Sequence, residues 1–276
     1  MNTFDPPNIG KLMQDYDLKA HKSLGQNFLR DPEILAQIVA AAEVTRTEHA
    51  LEIGPGLGSL TVLLAQAAKT VTAVELDERL FPALKRVLAS FDNVRLVHGD
   101  ILNLSAAELG LKEGYLVVAN VPYYITSAIF RHLLETTPRP RRIVLTVQKE
   151  VAERVCAAPG DLSLLALSVQ VYGTPCIMAQ IPAGAFYPPP KVDSAVLRVD
   201  IAPQPMIAAP LLERFFRLSK AGFSQKRKTL RNSLSAGLRI APQAAAALLE
   251  KAEINPMRRA ETLTLAEWAT LTAQDD

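Results

Sequence analysis

The sequence predicts an α/β fold: a doubly wound, mostly parallel sheet followed by a small all-helical domain. Over the first 200 residues, short apolar runs typical of buried strands alternate with patterns of helical spacing. A glycine-rich turn joins one of these strands to a helix, and beyond residue 208 only helical patterns remain. We therefore expect a sheet domain over residues 1–201, a linker over 202–207 and a helical domain over 208–276.

Seven apolar runs are predicted as strands, over residues 49–53, 70–74, 94–97, 115–119, 143–147, 176–181 and 192–201. Helical spacing between them predicts helices over 34–42, 60–68, 77–88, 126–134, 148–154 and 164–172. The first of these helices follows Asp31-Pro32-Glu33, which offers an N-cap, a proline at the first position and an early acid. Four more helices are predicted over 211–218, 228–234, 242–249 and 265–271, whereas residues 1–20 carry little pattern.

Composition narrows the class of protein. No apolar run reaches the roughly 18 residues that a membrane span needs, and the N-terminus lacks the apolar segment of a secretion signal. The two cysteines, Cys156 and Cys176, have no metal-type spacing and fit a reducing compartment. We therefore expect a cytoplasmic protein with no membrane partner and no metal, and we expect it to be a monomer.

Charge is unevenly distributed along the chain. The net charge is only +2, yet residues 210–260 carry eleven Lys/Arg against three acids, a net charge of +8. A basic region of this kind indicates a polyanionic partner, although a solvated helix face is the alternative. The cluster that best suits a phosphate backbone lies beside Phe223 and comprises Lys226, Arg227, Lys228 and Arg231.

The glycine turn reads Glu52-Ile53-Gly54-Pro55-Gly56-Leu57-Gly58. A dinucleotide-binding loop, G-x-G-x-x-G, would have its third glycine at position 59, where this chain has Ser59. The spacing therefore disfavours an NAD-dependent dehydrogenase and indicates a nucleoside ligand without a pyrophosphate. S-adenosylmethionine is the commonest such ligand. Glu75 follows about 20 residues later, where a carboxylate can accept hydrogen bonds from ribose hydroxyls.

Four candidate residues, Gly54, Glu75, Asp100 and Asn120, each follow a predicted strand. Ligands of parallel sheets bind beyond the carboxyl ends of the strands, so these residues should meet at one rim. Asp100 can accept a hydrogen bond from an adenine amine there. In Asn120-Val121-Pro122-Tyr123 the proline ends the strand, and the turn presents an amide, a backbone carbonyl and a ring. That set suits a base with an exocyclic amine, although an ordinary turn would also contain it.

Two loops are further candidates. Residues 21–29 mix basic, amide and aromatic groups before a helix, and they either close over a ligand or only precede the helix. Residues 186–194 form a rigid proline loop whose aromatics, Phe186 above all, either face the same rim and sandwich a base or only stiffen a strand connection.

Five motifs in this order resemble the KsgA-type family of ribosomal RNA small-subunit adenine N6-dimethyltransferases. The motifs are Leu24–Leu29, Glu52–Gly58, Asn120–Tyr123, Phe186–Ser194 and Lys226–Asn232. The resemblance implies a class I, Rossmann-like methyltransferase with S-adenosylmethionine as the methyl donor. It also implies that the donor site includes Asn27, Leu29, Gly54, Glu75, Asp100 and Asn120, to which the glycine turn adds Gly56.

The implied substrate is a pair of adjacent adenosines near the 3′ end of 16S rRNA, dimethylated at N6 on a small-subunit precursor. In our hypothesis, Asn120 and the Val121 carbonyl accept hydrogen bonds from N6, and Tyr123 stacks on the base. Two departures from the family pattern stand out: Val121 replaces the usual leucine, and Pro159–Ser163 lacks an expected Tyr-Gly pair. Two alternatives stay open, a large-subunit adenine methyltransferase of the macrolide-resistance type and a non-catalytic assembly factor.

Overall fold

The computed structural model describes residues 6–274 and contains one large sheet. The strands are β1 (Phe28–Leu29), β2 (His49–Ile53), β3 (Thr70–Glu75), β4 (Val94–His98), β5 (Leu116–Asn120), β6 (Arg142–Gln148), β7 (Gly173–Ile181), β8 (Phe186–Tyr187) and β9 (Ser194–Ile201). Seven of them form the sheet in the order β4-β3-β2-β5-β6-β9-β7, while β1 and β8 form a separate antiparallel pair. Neighbours from β4 to β6 run parallel, and β9 is antiparallel to β6. The predicted mostly parallel, seven-stranded sheet is confirmed.

The helices agree with the predicted pattern except at the N-terminus. They are α1 (Ile9–Asp15), α2 (Pro32–Ala42), α3 (Ser59–Ala67), α4 (Phe81–Val87), α5 (Thr126–Glu135), α6 (Lys149–Val155), α7 (Leu164–Gln170), α8 (Leu212–Gly222), α9 (Leu230–Leu238), α10 (Pro242–Lys251) and α11 (Leu265–Ala273). The Asp31 side chain caps α2 by accepting hydrogen bonds from the backbone of Glu33 and Ile34, as expected. In residues 6–274 no helix is both long enough and apolar enough to span a bilayer.

The strand order changes direction at β2. The chain first builds outward through β3 and β4, then returns to place β5 on the other side of β2. A crevice forms at such a switch point, beyond the carboxyl ends of the strands. The sheet core there is dry, since Leu116 through Ala119 of β5 are fully buried. This continuous apolar run is typical of a central parallel strand.

The chain divides into two compact units that do not follow the expected contiguous ranges. One contains residues 6–152 and 176–201, and the other contains residues 153–175 and 202–274. Residues 153–175, which we expected in the sheet domain, thus group with the C-terminal helices. Backbone hydrogen bonds explain this grouping: the Ala202 N–H donates to Tyr172 O (2.9 Å), the Met206 N–H to Val171 O (2.8 Å) and the Gly160 N–H to Glu261 O (2.8 Å).

The second unit packs around Trp268, which is fully buried on α11 and stacks on Phe223 with ring centroids 5.8 Å apart. Helices α8 and α9 approach so closely that a Cβ at Gly237 would lie 2.6 Å from the Ala221 Cα. Only glycine fits that crossing. The residues Ser224–Lys228, which connect these two helices, are all exposed.

Candidate active site

A cavity opens at the carboxyl ends of the parallel strands, in the first unit. Its walls come from residues 24–29, 52–60, 74–76, 99–101 and 120–125. Every residue predicted for the donor site or for catalysis lines it, namely Asn27, Leu29, Gly54, Gly56, Glu75, Asp100, Asn120, Val121 and Tyr123. Residues from Gly54 to Tyr123 meet in one cleft because the strands that they follow run parallel, and the segment around β1 adds Asn27 and Leu29 to it.

The glycine turn exposes its backbone to this cavity. Gly54 and Gly56 have φ values of 68° and 60°, in the left-handed region that favours glycine. A Cβ at Gly56 would lie 3.0 Å from the Phe28 ring, so the turn also packs closely against β1. The backbone can thus approach a ligand where a side chain would block it.

Glu75 ends β3 with its carboxylate oriented by two backbone N–H groups. Asp77 donates to Oε1 at 2.9 Å and Gly56 donates to Oε2 at 3.1 Å. Burial raises the pKa of Glu75, and these two hydrogen bonds act against the rise. The carboxylate is therefore fixed beside the glycine turn, where its remaining lone pairs can accept hydrogen bonds from a ligand.

Asn120 ends β5 with its amide orientation fixed. Its Nδ2 donates to the backbone carbonyl of Asn27 at 3.0 Å. One of the two amide N–H donors is thereby used and the side chain is oriented, which leaves Oδ1 as an acceptor. Within residues 6–274 no hydrogen bond to Oδ1 is found. The Val121 side chain is buried, so the replacement of leucine by valine changes the core and leaves the backbone carbonyl in the turn.

Tyr123 is half-buried, and its hydroxyl lies 2.6 Å from the Ser194 Oγ. Ser194 is itself fully buried at the start of β9. Burial raises the pKa of Tyr123, while the hydrogen bond to Ser194 lowers it to a smaller extent. The phenol is therefore neutral at physiological pH, and its ring is held in one orientation. Ser194 was not predicted as a site residue, although it is the last residue of the proline loop of residues 186–194.

The loop of residues 21–27 closes onto the cavity through Gln26. The Gln26 Nε2 donates to Asp77 Oδ2 at 2.8 Å, and its Oε1 accepts from the His21 backbone N–H at 2.8 Å. Hydrogen bonds from Arg79 to the same Asp77 carboxylate hold the pKa of Asp77 below its usual value. Gln26, which the sequence analysis did not select, thus fastens the loop whose next residue, Asn27, orients Asn120.

Replacing Gln26 with glutamate is expected to lower kcat/KM about tenfold or more, since a hydrogen bond to a charged group is lost. The new carboxylate would also face that of Asp77 across the former 2.8 Å contact. Steady-state kinetics of the expected methyl transfer measure the loss. Gln14→Glu adds the same charge at an exposed position of α1 and should behave as the wild type. Equal activity of Gln26→Glu and Gln14→Glu would contradict the role of Gln26.

Glu52 lies on the cavity wall but is almost fully buried. Its Oε2, like the Oγ of Ser59 on the same cavity wall, is a buried polar atom without a hydrogen-bond partner in the described part of the chain. Burial raises the pKa of Glu52 to about 8, and the charge of Glu75 adds to the rise. The sequence marked Glu52 only as the start of the glycine turn, because burial of a strand residue does not show in a motif.

Glu52 should make the ligand-free protein less stable as the pH rises. Its folded-state pKa of about 8 lies above the ordinary value of 4.5, so the folded state keeps a proton that the unfolded chain loses, and the free energy of unfolding is highest below pH 4.5 and falls as the pH rises towards 8. Glu52→Gln should flatten the dependence of the free energy of unfolding on pH between 5 and 8, measured by urea unfolding. Glu135→Gln, at an exposed position of α5, should keep the wild-type slope. Parallel profiles for wild type and Glu52→Gln would refute this assignment.

Phe186 is not at the cavity. It lies opposite Leu29 in the β1–β8 pair, is 1% exposed and packs in a core cluster with Leu29, Ile34 and Leu35. The expectation that this ring faces the rim is therefore corrected, because strand pairing turns it into the core. Tyr187 is the exposed aromatic of β8.

The predicted RNA-binding cations lie in the second unit. Lys226, Arg227 and Lys228 are exposed in the connection between α8 and α9. Arg231 is half-buried in the first turn of α9, and its backbone N–H donates to Pro256 O at 3.2 Å. The three exposed cations form the basic loop, residues 226–228, which can contact a polyanion.

Known proteins of one family resemble this chain over nearly its whole length. The family model for ribosomal RNA adenine dimethylase matches residues 17–271. The ribosomal RNA small subunit methyltransferase A of Dehalococcoides mccartyi strain 195 is 48% identical over 263 residues, which cover 95% of this chain and 90% of that protein. The protein of the same name from Moorella thermoacetica is 44% identical over 271 residues, with 94% of each chain covered.

Two solved structures share the fold over most of the chain. The 23S rRNA methyltransferase ErmE superposes with a TM-score of 0.72 at 30% identity and covers 89% of this chain and 98% of its own. A dimethyladenosine transferase from Plasmodium falciparum superposes with a TM-score of 0.74 at 25% identity and covers 88% and 95%. With the cavity, the fixed amide and the near-complete family match in agreement, the chain belongs to the ribosomal RNA adenine dimethylase family of enzymes.

Proposed function

We propose that this chain dimethylates N6 of two adjacent adenosines near the 3′ end of 16S rRNA, with S-adenosylmethionine as methyl donor, during small-subunit biogenesis. The observation that carries the proposal is the Asn120 amide, whose Nδ2 is held at 3.0 Å by Asn27 O. This contact leaves Oδ1 as an acceptor in a cavity that Gly54 and Glu75 also line. The family and the names of the curated relatives support the same substrate class.

The residues of the cavity suit a nucleoside donor. Glu75 offers carboxylate lone pairs to ribose hydroxyls, and Asp100, oriented by the Leu102 N–H at 3.0 Å, offers an acceptor to an adenine amine. Leu76 is 48% exposed on the wall, which gives a flat base an apolar surface. When bound there, S-adenosylmethionine supplies an electrophilic methyl group on a sulfonium. The donor proposal includes no metal.

Asn120 and Val121 would activate the target amine. The lone pair of adenine N6 is delocalised into the ring, so the amine is a weak nucleophile. Hydrogen bonds from N6 to Asn120 Oδ1 and to the Val121 carbonyl would draw the nitrogen towards tetrahedral geometry. The same acceptors stabilise the positive charge that develops on nitrogen, an interaction that strengthens in the transition state. Tyr123 would stack on the base and align it.

No general base is required before attack, because the N6 proton becomes acidic only once nitrogen carries positive charge. Among the described residues that line the cavity there is no His and no Lys. For the second methyl group N6 retains one hydrogen, so only one of the two acceptors is used. Asn120 and Val121 therefore serve both transfers with different numbers of hydrogen bonds.

The RNA would reach the site as an extruded nucleotide, since a base inside a helical stack cannot enter such a cavity. We assign the phosphate contacts to the basic loop and to Arg231. Such contacts position the RNA without reading its sequence. A ribosomal substrate would place the protein in the cytoplasm, and we propose that it acts as a monomer.

Labelled S-adenosylmethionine tests the proposal when supplied with unmethylated small subunits, large subunits or naked 16S rRNA, followed by mapping of the modified nucleotide. The proposal predicts N6,N6-dimethyladenosine at two adjacent positions of the small subunit. Label in the large subunit would favour the alternative function, a large-subunit adenine methyltransferase, which the structural similarity to the 23S rRNA methyltransferase ErmE suggests. Donor binding without transfer to any of the three substrates would favour a non-catalytic assembly factor.

A further inference from the structure

Tyr124 is an aromatic side chain that the roles above leave unused. It borders the cavity directly after Tyr123 and is 64% exposed, more than any other large hydrophobic residue in the described part of the chain. An exposed aromatic ring at the edge of a cavity offers a flat face on which a nucleobase can stack. Because the ring stands at the cavity where the target base would enter, its partner should be part of the same substrate.

The backbone of the turn is fixed on both sides of Tyr124, and one edge of the ring faces the 21–27 loop. The Ile125 N–H donates to Pro122 O at 3.3 Å, and the Thr126 hydroxyl donates to Tyr123 O at 3.1 Å, which fixes the turn on both sides of Tyr124. The ring atom Cε1 lies 3.3 Å from the point where a Cβ would stand on Gly25. One edge of the ring thus lies against the loop, while most of its surface stays open to solvent.

Neighbouring tyrosines of the turn differ in their surroundings. Tyr123 is half-buried and its hydroxyl is 2.6 Å from Ser194 Oγ. The Tyr124 hydroxyl has no hydrogen-bond partner within residues 6–274, so this ring is not anchored through its polar end. The turn therefore presents an inner ring that is fixed for one base and an outer ring that is available to another.

We propose that Tyr124 stacks on the nucleobase adjacent to the target adenosine; this inference rests on the proposed function. Extrusion of one base breaks its stacking with the neighbouring base, which is left with an exposed face. The Tyr124 ring, next in sequence to the tyrosine that would stack on the target base, can replace the lost stacking contact. Because the substrate contains two adjacent adenosines, the same ring would receive whichever of them is not in the cavity.

Tyr124→Ala should raise KM for unmethylated small subunits by about 5- to 150-fold, the range for loss of one base–aromatic stack. Tyr124→Phe keeps the ring and should stay within about twofold of wild type. The donor dissociation constant, measured by calorimetry, should not change in either variant. If Tyr124→Ala does not fold, which its thermal transition reports, Tyr124→Leu carries the same expectations.

Altered substrates test the contact itself. Small subunits in which one of the two adenosines is replaced by guanosine keep a large stacking surface, whereas a uridine replacement reduces it. The wild-type protein should methylate the remaining adenosine more slowly when its neighbour is uridine than when its neighbour is guanosine. With Tyr124→Ala the difference between the uridine and guanosine substrates should disappear, because the ring that stacks on the replaced base is absent.

Three results would overturn the inference: an unaltered KM in Tyr124→Ala, an unchanged uridine–guanosine difference in that variant, or weaker donor binding. Weaker donor binding would assign Tyr124 to the donor site instead. The same assay is first run with the wild-type protein and unaltered small subunits. If no methylation is seen there, the proposed function is overturned, and this inference with it.

Discussion

Replacing Asn120 with alanine is expected to lower the rate of methyl transfer by about 100- to 1,000-fold, the usual effect of removing one preorganised transition-state hydrogen bond. The cause is loss of the Oδ1 acceptor, which the contact of Nδ2 with Asn27 O leaves available to the target amine. Donor affinity should fall much less, because Glu75, Asp100 and the glycine turn remain. Single-turnover transfer from labelled donor and donor calorimetry measure the two quantities separately.

Asn120→Asp is the matched variant for that experiment. It keeps an acceptor oxygen but replaces the amide donor with a second oxygen, which would face the Asn27 carbonyl at the former 3.0 Å contact. We expect the rate of methyl transfer by Asn120→Asp to be lower than that of the wild type, because the side chain is no longer held by Asn27 O. Unchanged turnover in Asn120→Ala would remove the proposed role of Asn120.

Neutralising the basic loop as Lys226→Gln, Arg227→Gln and Lys228→Gln is expected to weaken binding of small subunits about tenfold or more at physiological salt. The slope of log affinity against log salt concentration should become about two to three units shallower, since each of the three lost phosphate contacts removes roughly 0.7 to 0.9. The reason is that all three side chains are exposed and available to phosphates. Filter-binding titrations over a range of salt concentrations measure both quantities.

A second triple variant controls for the change in net charge. Arg46, Lys69 and Lys85 are exposed cations of the first unit, and their replacement by glutamine removes the same three charges. We expect this control to alter the salt slope far less. If both triple variants flatten the slope equally, the basic loop contributes only through the overall charge of the protein.

Much of the fold was predictable because buried parallel strands leave continuous apolar runs that end abruptly. The β2 run was predicted at its observed bounds, His49–Ile53, since Gly54 ends it. Gly54, Glu75 and Asn120 were placed together from the rule that parallel strands end at one edge, and the cavity contains all three. The site was predictable to the extent that it depends on where strands end.

Other features depend on long-range contacts that no local pattern records. The hydrogen bond of Asn120 to Asn27 spans 93 positions, and that of Gln26 to Asp77 spans 51. The β1–β8 pair that buries Phe186 has two residues in each strand, too few to show alternation. Helix α1 has seven residues and is recognised only when Ile9 and Leu12 are seen in a core cluster.

The most direct test of the account is a crystal structure of the protein with a non-reactive analogue of S-adenosylmethionine and adenosine monophosphate. The account predicts the donor analogue against Gly54, Gly56 and Glu75, which line the cavity. It also predicts the adenine N6 within hydrogen-bonding distance of Asn120 Oδ1 and the Val121 carbonyl. A donor bound away from the glycine turn, or an adenine whose N6 points away from Asn120, would contradict it.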